Sequence, residues 1–260
     1  MAATAITVFG TLQQAAELIK KFDWSKMEVK DATRDDYLHL NLAPSFGELT
    51  PTSVKDLDDN LKVIIAATMR ALAKVPAQQR SWEKVLEVMM QNPLLEPDAV
   101  GISRADKLIK EEVNYFHTDG SPDPKVVKEV ENWFINLIED DDVLKSTQID
   151  IKVMANIVAQ TGATIDSFPA LIYKEEYHEK TMVDVGVLRF PDTNHPHFKL
   201  YRIQLIAWSD SRRIVFGQKD ENGITGEFNS RIFNPRVFTI QELSPTVKKQ
   251  AITEADDLFA

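Results

Sequence analysis

The stretch that decides the fold is KLYRIQLIAWSDSRRIVFGQKDENGITGEFNSRIF, residues 199–233. Tyr201, Ile203, Leu205 and Ala207 oppose Arg202 and Gln204, which is the two-residue period of a strand with one buried face. SDS at 209–211 predicts a turn into RRIVFG, and KDENG at 219–223 is a strong hairpin signal because Asn-Gly suits a tight primed turn. Ile224, Phe228 and Ile232 then alternate with Thr225, Glu227 and Arg231. Three strands and two turns make an antiparallel meander. Just upstream, Val183, Val185 and Val187 in TMVDVGVLRF share a face with Thr181 and extend the same pattern.

Ahead of this sheet the period is mostly helical. TAITVFG, residues 4–10, reads as a short strand, and TLQQAAELIKKFDW as a helix with a Thr11 cap. DDYLHLNLAP carries Leu38, Leu40 and Leu42 on one face of a further strand, with His39 turned to solvent. Ser53 is placed to cap a long helix whose stripe is Val54, Leu57, Leu61, Ile64, Ile65, Met69 and Leu72, ended by Pro76. A second helix holds Trp82, Val85, Leu86 and Met89. A third is expected over 103–116 with Leu108, Ile109, Val113 and Phe116 on one side. A fourth begins near Lys125 and carries Val126, Val130, Trp133, Phe134, Leu137 and Ile138. Residues 147–160 fit a strand or a helix equally, and a last helix covers 244–258. The expected architecture is one α/β (α+β) domain over 1–260. It is helix-rich at 53–160, with a β-meander at 181–240 covered by layers of amphipathic helices.

Composition narrows the function classes. The chain has 260 residues, a formal net charge of −10, 43% hydrophobic and 27% charged residues, and no cysteine. So acidic a chain is a poor nucleic-acid binder, since phosphate neutralisation needs a clustered basic surface. The lack of cysteine excludes disulfides, thiolate nucleophiles and thiolate-held metals. MAATAITVFG has neither the basic start nor the apolar core of a signal peptide. The expectation is therefore a soluble protein made in the cytoplasm, which leaves the cell, if it does, by non-classical secretion or lysis.

No cluster carries a catalytic or cofactor motif. His195 and His197, with Asp192 nearby, offer two imidazoles and a carboxylate, but no third strong metal ligand lies near them in sequence. His117, Asp119 and Asp123 in HTDGSPDP lack calcium-loop spacing, so a turn with a helix cap at Ser121 or Asp123 is the simpler reading. Glu175, Glu176, His178 and Glu179 in EEYHEK do not form a zinc-protease motif. EDDD at 139–142 sits where a helix should end, a place the helix dipole makes unfavourable for acids. Arg212 and Arg213 are expected on opposite faces of a strand. Neither a phosphate-cradling glycine loop nor a serine-nucleophile elbow occurs. No enzyme activity and no cofactor is expected.

The order of elements resembles the bacterial cytolytic delta-endotoxins, the Cyt toxins, and the Erwinia virulence factor of similar style. The likeness runs over the strand at 4–9, helical hairpins at 53–91 and 103–139, and the sheet at 181–233, with KLYRIQLIAWSDSRRIVFGQKDENGITGEF as its nearest local match. It implies helix layers on an antiparallel sheet, a monomer or dimer, and conversion to a membrane-bound, pore-forming state. The acylated cysteine of the virulence factor has no counterpart here. Under this resemblance the membrane-insertion candidates are Val183, Val185, Val187, Ile203, Leu205, Trp208, Ile214 and Phe216, and the partners are a lipid membrane and further copies of the chain. The alternatives are a protein–protein interaction or structural component, capsid-like or an immunity-type partner, and an enzyme using Glu176 and His178 or His195 and His197.

Overall fold

The computed structural model describes residues 41–42, 51–114, 121–161, 173–190, 195, 197–214 and 217–259. The expected strand at 4–10, the helix after it, and His39, His117, Asp119, Asp192 and Phe216 lie outside these residues. Among those described, the elements run β1 (Asn41–Leu42), α1 (Pro51–Ala73), α2 (Trp82–Gln91), β2 (Leu95–Asn114), α3 (Pro124–Ile138), α4 (Asp141–Ser146) and α5 (Ile151–Val158). They continue with β3 (Tyr173–Phe190), β4 (His197–Ile214), β5 (Gly217–Pro235), α6 (Val237–Gln241) and α7 (Pro245–Phe259). The strands form one antiparallel sheet in the order β1-β3-β4-β5-β2, so the fold is α+β. The chain divides into two compact units, unit 1 (Met1–Gly101, Val187–Leu200, Arg231–Ala260) and unit 2 (Ile102–Gly186, Tyr201–Ser230), and each boundary between them falls inside a long strand.

Unit 1 is built on α1. Leu61, Ile64, Ile65 and Leu72 form its buried stripe, and α7, α2 and α6 pack against it, α7 most extensively. Ser81 caps α2 by accepting from Lys84 N–H, and Val85, Val88 and Met89 go inside. Phe198 of β4 and Phe233 of β5 stack with ring centroids 5.6 Å apart. A buried ion pair joins Arg70 of α1 to Glu254 of α7.

Unit 2 pairs α3 with α5, with α4 between them in sequence. Asp123 caps α3 through Lys125 N–H at 2.8 Å, and Val130, Trp133, Phe134, Leu137 and Ile138 are buried as the spacing predicts. Within the ambiguous 147–160 segment, α5 begins at Ile151 because Asp150 supplies an N-cap to Lys152 N–H at 3.0 Å.

Four expectations are corrected. Residues 103–114 belong to the twenty-residue strand β2, not to a helix. SDS and KDENG are not turns: Asp210 and its neighbours continue β4, and residues 219–223 lie within β5, so residues 199–233 form two strands rather than three. EDDD follows the end of α3 as expected, with Glu139 as its C-cap in the left-handed conformation (φ 47°), but its aspartates open the next helix rather than trail the last one. Asp140 then caps α4, accepting from Val143 N–H at 3.3 Å, and Asp141 and Asp142 occupy its first turn, where the dipole favours acids. The sheet also begins earlier than 181, since β3 starts at Tyr173 and carries EEYHEK.

Candidate functional site

In unit 2, β4 and β5 alternate with little interruption. Tyr201, Ile203, Leu205 and Ala207 are buried, while Arg202, Gln204, Ile206 and Trp208 are half-buried. On β5, Ile224, Gly226 and Phe228 are buried, whereas Thr225 and Asn229 are half-buried and Glu227 is exposed. The buried set meets α3: a Cβ added at Gly226 would stand 2.5 Å from Leu137 Cδ2 and 2.8 Å from the Trp133 ring. Any larger residue there would have to displace these side chains of the helix–sheet interface. The apolar face of the hairpin is thus covered by helix.

Three polar groupings tie that cover to the sheet. On β3, the Asp184 carboxylate accepts from Thr147 Oγ1 at 2.6 Å, Gln148 N–H at 3.1 Å and Tyr201 OH at 3.2 Å. Burial pushes the Tyr201 phenol up from its ordinary 10.0, and the Asp184 charge and hydrogen bond add to the shift. The same ring fills the space over Gly186, where a Cβ would lie 2.5 Å from it. Towards the β4–β5 connection, Ser209 Oγ bonds Asn222 Oδ1 at 3.0 Å and Ser211 Oγ bonds Asp220 Oδ1 at 2.5 Å. Asn222 Nδ2 also donates to the carbonyls of Val158 and Gln160 at 3.0 and 2.5 Å, which pins the end of α5. On β2, Arg104 donates to the Ile138 carbonyl at 2.8 Å and pairs with Glu139. Asp106 accepts from Trp133 Nε1 at 3.0 Å, and Lys110 pairs with Glu129.

The other parity of these strands forms a second surface. Arg202 pairs with Glu227 at 3.2 Å and also contacts Gln204. A cavity of about 440 Å³ is lined by Ala105, Asp106, Lys107, Gln204, Ile206, Thr225, Gly226 and Glu227. Trp208 lies over Gly223 so closely that a Cβ there would meet the indole ring.

The insertion candidates are scattered between these environments. Val185, Val187, Ile203 and Leu205 are buried, Val183 is 49% exposed, and Trp208 is half-buried on the opposite parity from Ile203 and Leu205. Ile214 lies in β4 with its side chain outside the described residues, as is the whole of Phe216. Val187 belongs to unit 1 and the other described candidates to unit 2. His195 is exposed, and His197 Nδ1–H donates to the His195 carbonyl at 2.9 Å. Among the described residues no three His, Asp or Glu side chains are grouped to hold a metal ion. His178 and Glu179 are exposed on β3 and Glu176 is half-buried. Sequence reasoning missed the Asp184–Tyr201 bond and the separate Asn222 contacts to Ser209 and the end of α5. Tyr201 and Asn222 stand on the apolar parity of their strands, whereas Asp184 alternates with valines and carries no such signal.

No protein-family model matches the chain, and no curated protein matches it. No helix among the described residues is long and apolar enough to cross a membrane.

Proposed function

We propose that this chain perturbs lipid bilayers without enzymatic chemistry, by releasing the β4–β5 hairpin from its helical cover. One observation carries the reading: β4 and β5 are 18 and 19 residues long, and over 201–207 and 224–228 their helix-covered parity is apolar, with the polar Ser209, Ser211, Asp220 and Asn222 following on the same parity. A membrane-crossing strand needs about 9–11 residues and the same alternation, with apolar side chains to lipid and polar ones to the lumen. Ile203, Leu205 and Phe228 would meet lipid, and Arg202, Gln204 and Glu227 the lumen. In the closed state α3 supplies the apolar contacts that lipid would replace.

The test is dye release from neutral and anionic vesicles, from acidic to alkaline pH, by the native chain and by Val183→Lys. Val183 is exposed, so the substitution is expected to change folding stability by no more than about 0.5 kcal/mol. Asp184 and Gly186 meet Tyr201, so Val183 shares the parity of Arg202 and Gln204 rather than that of Ile203 and Leu205, and a lysine on this lumen-facing side is expected to leave leakage unchanged. Native protein that neither leaks vesicles nor sediments with them sinks the proposal.

A second reading has its own observation. β2 ends the sheet order, and its Ile102 and Ile109 are 36% and 43% exposed, which suits pairing with a strand of a partner protein. A stable complex formed without lipid would favour it.

A further inference from the structure

We infer that the outer parity of the unit 2 sheet is a saccharide-binding platform. The inference does not rest on the membrane reading, because the ligand would bind in the absence of lipid. Three strands build the site, which fixes its polar groups more rigidly than a loop would. Gln204 and Ile206 come from β4, Thr225 and Glu227 from β5, and Ala105 and Lys107 from β2. At about 440 Å³ the cavity falls in the range of small-molecule sites, about 300–1,000 Å³.

Charge decides against other ligand classes. The Asp106 carboxylate turns to Trp133 on the helix side, so Glu227 and Lys107 are the charged side chains of the lining, and Arg202 stands against Glu227. One acid set against one base in the lining selects neither an anion nor a cation. That balance disfavours nucleic acids and phosphorylated ligands, which need net positive charge. A purely apolar ligand would bury the Gln204 amide, the Thr225 hydroxyl and the Glu227 carboxylate against hydrocarbon, a costly step.

A sugar fits both demands. Each hydroxyl donates and accepts, so it is matched by an amide, a hydroxyl, a carboxylate and an ammonium set side by side. The C–H faces of the ring need apolar floor, which Ile206 and Ala105 supply. Trp208 adds an aromatic face in line: it lies two residues from Ile206 on the same side of β4, over Gly223, which itself lies two residues from Thr225 on β5.

The full chain is titrated with lactose, maltotriose, cellotriose, mannotriose and triacetylchitotriose, each to about 10 mM, a ceiling that captures weak millimolar binding. Tryptophan fluorescence and calorimetry are read in parallel. At least one sugar is expected to give a saturable response, weakened about fivefold or more by Gln204→Ala and by Thr225→Val, as for loss of a single hydrogen bond. Trp208→Ala is expected to abolish it. If that variant fails to fold, the two polar variants decide. No saturable response to any of the sugars overturns the inference, as does binding that both polar variants leave unchanged. Flotation with phosphatidylcholine vesicles, with and without a glycolipid bearing the bound sugar, then distinguishes membrane-borne from free glycan.

Discussion

Tyr201 is the residue on which the packing of unit 2 turns. It is buried, its ring excludes a side chain at Gly186, and its hydroxyl donates to Asp184. Its phenol is held above the ordinary 10.0, so the folded state resists the ionisation that the unfolded chain permits. For a raised pKa the stabilisation is complete below the unfolded value and is lost as pH climbs from there through the folded value. Stability should therefore decline above about pH 10, and Tyr201→Phe should flatten that decline. At neutral pH the variant should lose about 1 kcal/mol, since Asp184 forfeits one donor. Urea midpoints measured at neutral and strongly alkaline pH check both halves; an equally steep alkaline decline in the variant would remove Tyr201 from the account. Sequence pattern places Tyr201 on the buried face of β4 but carries no hint of its partner. Asp184 alternates with valines on β3, and only tertiary packing brings Thr147, Gln148 and Tyr201 to it.

At the scale of elements, apolar periodicity reads the helices well and fails where polar residues build the sheet. α1, α2, α3 and α7 lie close to where their stripes put them. β2 reads as a helix because it ends the sheet order and carries charge on both parities. Arg104, Asp106 and Lys110 reach α3, whereas Lys107 and Glu111 are exposed, so no two-residue apolar rhythm remains. SDS and KDENG look like turns for a related reason. Ser209, Ser211, Asp220 and Asn222 satisfy one another across the ladder, so a run of turn-forming residues persists as strand. The α1–α7 pair adds an ionic element to unit 1. Arg70 is wholly buried, and burial lowers its pKa while Glu254 opposes the shift. Arg70→Ala, which leaves a buried carboxylate, should cost about 3–5 kcal/mol, whereas joint replacement of Arg70 by Met and Glu254 by Leu should be near neutral or stabilising. Chemical denaturation of both variants tests this. A double variant as unstable as the single one would mean that the pair holds more than its own charges.

At the scale of the whole molecule, β2 to β5 each run 18 to 20 residues. Strands of this length exceed the usual range for globular proteins and the span of a bilayer. The α+β class and a late antiparallel sheet were legible because alternating apolar residues survive in β3, β4 and β5, but the strand count over 199–233 was not. The covering contacts were not, because the stripe that buries a helix on a sheet would serve equally well in lipid. What separates those states is whether the helices of unit 2 stay in place. Thr147 and Asp184 offer a handle: their side chains meet at 2.6 Å, and the chain has no cysteine to compete with an engineered pair. The most direct measurement is vesicle dye release by Thr147→Cys/Asp184→Cys, oxidised and then reduced, beside the native chain, with disulfide formation followed on non-reducing gels. Leakage by the native chain, its loss on oxidation and its return on reduction are the predicted result. Equal leakage from oxidised and reduced protein, or no leakage by the native chain, would contradict the account.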